Sequence, residues 1–102
     1  MKYRVSKDAE QDLDGIFRYW AKRASLKVAD RLIDSIADRF WLLSEYPEAG
    51  KPSDEIAAGV KCFPAGKYLI YYRLTRRGTD ILHIFHSAQD QRRAFRKAAE
   101  RG

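Results

Sequence analysis

The chain has 102 residues, 45% of them hydrophobic and 13% aromatic, with two histidines, one cysteine and a formal net charge of +6. That length suits a single domain over 1–102 able to fold without disulfide or metal staples, and the composition excludes a disordered chain. The lone Cys62 excludes a disulfide framework and a four-ligand zinc site, and no apolar run reaches the length of a signal core or a membrane span, so a soluble protein of the reducing cytoplasm is expected.

The charge is unevenly placed. Residues 1–58 hold ten Lys/Arg against eleven Asp/Glu, whereas residues 59–102 hold ten Lys/Arg against only Asp80, Asp90 and Glu100. A field concentrated in the second half favours encounter with a polyanion or an acidic protein segment.

In chain order, Tyr3 and Val5 alternate with polar neighbours and predict a short strand, after which Ser6 supplies a helix cap. Ala9, Leu13, Ile16, Phe17, Trp20 and Ala24 then trace one apolar stripe, with Asp8, Asp12 and Asp14 assigned to outward positions near the positive end of the helix dipole. A second helix is predicted from Ser25, with Val28, Ala29, Leu32, Ile33, Ile36, Phe40 and Leu43 on one face, and Tyr46-Pro47 ends it. The two stripes form an antiparallel helical hairpin. Trp41 and Leu42 widen the second stripe, which predicts contact with the other helix, a partner surface being the remaining reading.

The run from Glu48 to Ala58 lacks periodicity and reads as a connection. GVKCF, KYLIYYRLT and TDILHIFHS follow, separated by Pro64-Ala65-Gly66 and Arg76-Arg77-Gly78, and predict a three-stranded antiparallel meander. Alternation puts Tyr68, Ile70, Tyr72 and Leu74 on one face of the middle strand and Leu69, Tyr71, Arg73 and Thr75 on the other. Ser87 or Asp90 caps a last helix in which Ala94, Phe95 and Ala98 are apolar and Arg92, Arg93, Arg96, Lys97 and Arg101 carry charge.

His83 and His86 are the first candidates for chemistry. His-x-x-His puts both rings on one face only in a helix; in a strand they point to opposite sides, and no third ligand is suitably spaced. A metal site is therefore not expected. Cys62 lacks a His–Asp partner pattern, and no nucleophile elbow or phosphate loop is present. Metal-free RNA cleavage needs a base and cations, which Lys61, Lys67, Arg73 and His86 supply only if they converge.

The early strand and helical hairpin, Leu43…Tyr46-Pro47-Glu48-Ala49-Gly50, Gly59-Val60-Lys61-Cys62-Phe63, Tyr68-Leu69-Ile70-Tyr71-Tyr72-Arg73 and the closing Ile81-Leu82-His83-Ile84-Phe85-His86-Ser87-Ala88-Gln89-Asp90 together resemble the RelE/ParE superfamily of toxin–antitoxin toxins, over nearly the whole chain. The closer similarity is to the ParE branch, through its "H-x-x-R-D" ending. The resemblance implies an α+β fold, with a short first strand and a helical hairpin packed on a small curved antiparallel sheet and a short C-terminal helix. It also implies a toxin of a type II toxin–antitoxin system that arrests growth by inhibiting DNA gyrase without being an enzyme, and that uses no cofactor. The implied partner is a ParD-like antitoxin, a ribbon-helix-helix protein with an acidic C-terminal segment, in a higher-order hetero-oligomer. Candidate contacts to antitoxin or target are Lys61, Arg73, Arg76, Arg77, Arg92, Arg93 and Arg96. The alternative is a ribosome-dependent mRNA endoribonuclease of the RelE type, drawing on His86, Arg73 and Lys61. Two departures bear on the choice: Leu69 stands where the nuclease branch commonly has an arginine, and Gln89 stands where the ParE pattern usually has one.

Overall fold

The computed structural model describes residues 2–101, the side chain of Arg101 excepted. Along the chain come β1 (Tyr3–Val5), α1 (Lys7–Arg23), α2 (Leu26–Glu45), a 3-10 turn (Pro47–Ala49), β2 (Lys51–Pro52), β3 (Val60–Ala65), β4 (Tyr68–Thr75), β5 (Gly78–His86) and α3 (Gln91–Arg101). The helix starts follow local chemistry. Ser6 Oγ accepts from the Ala9 N–H at 3.0 Å, Ser25 Oγ from the Val28 N–H at 3.1 Å and Asp90 Oδ1 from the Arg93 N–H at 3.1 Å. Each cap satisfies a backbone donor that has no partner within its own helix. None of the helices is long and apolar enough to cross a membrane.

The meander β3–β4–β5 forms the middle of a five-stranded mixed sheet in the order β1-β5-β4-β3-β2. β1 runs parallel to β5, with Tyr3 opposite Thr79 and Val5 opposite Ile81. β2 adds two residues to the other edge, inside the stretch read from sequence as a plain connection. Beyond β2 that edge is a poor template for another strand. The Val60 carbonyl accepts from the Ser53 N–H, so even-numbered residues of β3 point outward, and the one beyond Cys62 is Pro64, which has no N–H to offer.

Tyr68, Ile70 and Tyr72 of β4 face the α1–α2 hairpin and pack with Ile16, Ile36, Phe40 and Leu43. On the opposite face Val60, Tyr71 and Phe85 pack under Ile56, Ala57, Ala94 and Phe95. Strict alternation would leave Ile81 on the face of His83 and Phe85. A bulge at Leu82 prevents this: Tyr71 pairs with His83 while its neighbour Tyr72 pairs with Ile81. Ile81 thereby joins Ile84 in the helix-side core, and β5 feeds both cores at once.

One side chain ties the 3-10 turn to the sheet. The fully buried Tyr72 hydroxyl accepts from the Gly50 N–H at 2.8 Å and donates to the Pro47 carbonyl at 2.8 Å. Gly50 is needed for space, since a Cβ there would collide with the Tyr72 hydroxyl and ring. Tyr72→Phe is expected to cost about 1–3 kcal/mol, because it strands the Gly50 donor and the Pro47 acceptor together. Urea unfolding checks this, and a midpoint equal to that of the parent chain would contradict it.

Candidate functional site

The two histidines serve different ends. β5 outruns β1, so its edge beyond Val5 would expose unpaired backbone donors. Asp12, reaching from α1, fills the gap: its Oδ2 accepts from the Ile84 N–H at 3.0 Å and lies 3.0 Å from His83 Nδ1. The expectation that Asp12 points outward is corrected here; an edge strand without a neighbour needed an acceptor, and Asp12 is the residue of α1 placed to supply it. His83 is 6% exposed, stacks on Phe85 at 4.8 Å and meets Phe95 edge-on at 5.0 Å. Asp8 stands 3.7 Å from its other ring nitrogen, a charge contact too long for a hydrogen bond. His83 is thus a structural hinge-pin between α1, β5 and α3.

His86 lies on the other face, as strand geometry requires. It sits opposite Tyr68 in the register, ring to ring at 5.2 Å, and its Nδ1 accepts from the Ala88 N–H at 3.0 Å. That bond leaves Nε2 as the protonated nitrogen of the neutral ring. The Tyr68 hydroxyl in turn accepts from the Trp20 indole N–H at 2.9 Å. Gln89 turns back on the strand end, where its Oε1 accepts from the His86 N–H at 3.1 Å. An arginine at 89 has no acceptor and could not make this bond, so the departure from the family ending has a local structural use.

The cations proposed from sequence do not form one patch. Lys61 is held by Glu48 at 3.1 Å and its side chain is 18% exposed. Arg73 faces the α3 side of the sheet, next to Val60 and Asp80 in register, and donates to the Ala58 carbonyl at 2.9 Å. Arg76 and Arg77 occupy the β4–β5 turn and share a cleft with Lys2 and Arg4, the last paired with Asp80 at 3.5 Å. Arg92, Arg93 and Arg96 are exposed on α3, near the far end of β5. The trio His86, Arg73 and Lys61 does not converge. Arg73 lies five residues along β4 from the partner of His86, about 17 Å at strand rise, and on the opposite face.

Trp41 and Leu42 also depart from expectation. They are 59% and 37% exposed and do not pack between the helices. Leu42 joins Tyr46, Pro47 and Phe63 around an apolar hollow of about 720 Å³ rimmed by Glu45 and Glu48. The sequence signal was present, in two large apolar residues beyond the width of one face.

A helical hairpin on one face of a five-stranded sheet, a short helix on the other and dispersed surface cations define a small α+β protein of the RelE/ParE type. The comparisons with known proteins specify the branch. Residues 3–91 match the family described as "ParE toxin of type II toxin-antitoxin system, parDE", and the chain belongs to that family. It is 27% identical over 90 residues to Toxin ParE1 of Caulobacter vibrioides, covering 88% of this chain and 93% of that protein. Among solved structures it is similar to a chain of "Chromosomal ParDE TA system from P. aeruginosa", with TM-score 0.75, 21% identity and coverage of 84% of this chain and 95% of that one. It is also similar to a chain of the toxin–antitoxin complex RelBE2 of Mycobacterium tuberculosis, with TM-score 0.60, 22% identity and coverage of 83% and 95%.

Proposed function

We propose that this ParE-family toxin arrests growth by binding and inhibiting DNA gyrase, without catalysing a reaction itself, and that a ParD-like antitoxin holds it inactive. The observation that carries the non-enzymatic reading is the separation of His86 from Arg73 and Lys61, onto opposite faces or into an ion pair, which leaves the expected base without the expected cations. Leu69, at the nuclease branch's arginine position, agrees with it. What supports a macromolecular partner is a second half in which Arg76, Arg77, Arg92, Arg93 and Arg96 form no ion pair among the described residues, together with the separate exposed apolar residues Trp41, Leu42 and Tyr46. In a supercoiling assay, purified toxin at stoichiometric excess over gyrase is expected to abolish supercoiling, and preincubation with antitoxin to restore it. Growth arrest in cells together with unimpaired supercoiling would sink the gyrase target.

The second reading, a ribosome-dependent endoribonuclease, keeps one specific observation: the His86 ring lies in a groove also lined by Lys67 and Lys97. It requires new mRNA 5′ ends soon after induction, lost in His86→Ala. An unchanged transcript map excludes it.

A further inference from the structure

Positive charge gathers at the end of the sheet where β4 turns into β5. A cleft of about 640 Å³ there is lined by Lys2 and Arg4 at the β1 edge and by Arg76 and Arg77 of the turn. Asp80, already 3.5 Å from the Arg4 guanidinium, is the only carboxylate among its described lining residues. Arg73 extends the field. Arg4 is opposite Asp80 in the register, and Asp80 is opposite Arg73, so the three form a row across β1, β5 and β4. Tyr3 and Val5 pack on the hairpin side, against Phe40 and the core, as Tyr72 does, and alternation therefore puts Arg4 and Arg73 on the other face. Lys2, Arg73, Arg76 and Arg77 are exposed and form no ion pair among the described residues. Four cations thus surround one acid that already has a partner.

The turn holds its two arginines on a fixed backbone. Thr75 Oγ1 accepts from the Arg77 N–H at 3.2 Å and donates to the Gly78 carbonyl at 3.1 Å, and Gly78 has a φ of 131°, a conformation that favours glycine. The apolar content of the cleft is low. Of the large apolar side chains exposed on the chain only Tyr3 lines it, and that ring is edge-on to Phe40 at 5.7 Å. A protein partner calls for an apolar centre to its interface, and a single-stranded nucleic acid for aromatic faces on which its bases stack. A duplex backbone needs neither. Arg4 and Arg73 stand two strand spacings apart, and the turn begins three residues beyond Arg73, so the patch is roughly 10 Å on a side. Duplex DNA carries a charge about every 1.7 Å of axis, which brings several phosphates within that patch, and guanidinium groups bind phosphate in a bidentate fashion.

We propose that the cleft at the β4–β5 turn binds the phosphate backbone of duplex DNA, without reading its sequence, through Lys2, Arg73, Arg76 and Arg77. The choice of DNA over RNA rests on the gyrase reading above, which places the chain on an enzyme that works on duplex DNA. The charge, its placement and the absence of a stacking platform do not depend on that reading.

The test measures binding of the full chain alone to a fluorescent duplex of about 24 base pairs, by anisotropy, at salt concentrations from about 50 to about 200 mM. Four phosphate contacts predict a slope of log affinity against log salt of about −3 to −4. Arg76→Glu combined with Arg77→Glu is expected to make that slope shallower by about 2 and to weaken binding by about tenfold or more at about 100 mM salt. The control of equal charge change, Lys27→Glu with Arg31→Glu, uses exposed positions of α2. They lie about 18–24 Å along the helix from Leu43, whose carbonyl receives the Thr79 hydroxyl at the cleft. That separation exceeds the ~10 Å screening length at such salt, so the control is expected to bind within about threefold of the parent. Affinity that is the same in the turn variant and the parent, or that ignores salt, overturns the cleft assignment whether or not the chain inhibits supercoiling. An equal loss in the control overturns it as well, because net charge alone would then account for binding. RNA of the same sequence, single-stranded or duplex, bound about tenfold more tightly would overturn the choice of DNA. Polyglutamate that displaces the duplex at an equal concentration of charge would assign the cleft to an acidic polypeptide and overturn the nucleic acid. DNA binding through the turn, in a chain that leaves supercoiling unimpaired, would support the cleft and overturn the gyrase reading.

Discussion

Asp12→Ala is expected to lower the stability of the chain by about 3 kcal/mol, seen as a lower urea midpoint and a melting temperature reduced by more than about 10 °C. The change removes one carboxylate oxygen that serves two donors from different groups, the Ile84 N–H and the His83 ring, both at 3.0 Å. His83 is 6% exposed and Ile84 2% exposed, so water does not replace the lost acceptor without opening the α1–β5 contact. Each stranded donor costs about 1–3 kcal/mol, and the loss exceeds that of the two Tyr72 hydroxyl bonds because a carboxylate acceptor makes stronger hydrogen bonds than a hydroxyl. Asp12→Asn keeps an acceptor of the same shape but loses the charge, and should recover about half the loss. Hydrogen exchange separates this account from a general weakening of α1: in Asp12→Ala the Ile84 amide should exchange far faster while amides in the middle of β4 change only with global stability. Equal acceleration at both sites, or a loss below about 1 kcal/mol, would show that the edge is satisfied in some other way.

Which parts of this arrangement could be read in advance follows from the range of the interactions involved. Ser6 was legible as a cap, Ser25 as the start of α2 and Asp90 as one of two cap candidates with Ser87, because each bonds an amide three residues away, a relation fixed by the helix itself. The faces of β4 were legible because alternation along one strand is also local. Asp12 was not, since its orientation answers a need 72 residues later, the open edge of β5. Leu82 was not, because a bulge shows only in the pairing of two strands, and without it the sequence could not say that Ile81 and His83 take opposite faces. The candidate site suffered most from the same gap. Lys61, Arg73 and His86 were grouped by residue type, whereas strand parity and direction decide whether such side chains meet. The groove between α1 and α3 needed both, since its lining is drawn from α1, β5 and α3, which are far apart in the sequence.

The family ending illustrates how one substitution can be local and functional together. Gln89 closes the end of β5 by accepting from the His86 N–H, and it also lines the groove between α1 and α3. An arginine there would carry the positive charge of the ParE pattern but would leave the His86 N–H without this partner. In this chain the charge at that end comes from Lys67 and Lys97 instead, one from the β3–β4 turn and one from α3. Positive charge near the strand-end histidine therefore comes from two separate elements and does not reside in one motif, which is why it was not visible as a motif.

Stability is expected to fall steeply on the alkaline side. Burial pushes the Tyr71 hydroxyl well above the ordinary tyrosine value, with the adjacent Cys62 adding to it, and burial also raises Tyr72 and the Cys62 thiol. For an acid with a raised value in the folded state, the native chain keeps its proton over a range where the unfolded chain has released it. The native state then binds more protons, so stability is full below the unfolded value and declines as pH rises through the folded one. The ordinary values of 9.0 for cysteine and 10.0 for tyrosine set the start of the decline, with Cys62 first and the two tyrosines following. Each group contributes a slope of up to about 1.4 kcal/mol per pH unit while the two states differ by a full proton. Tyr71→Phe removes one such group at small cost near pH 8, because the ring stays packed against Phe85 and Phe95. Urea midpoints at pH 8, 9.5 and 11 should therefore fall less steeply above pH 10 in Tyr71→Phe than in the parent, with the two nearly equal at pH 8. Tyrosinate absorbance should report the same event, part of it rising only as the parent chain unfolds. Parallel declines in the two proteins would mean that Tyr71 ionises without opening the β3–β4 face, and that the alkaline limit of this fold lies elsewhere.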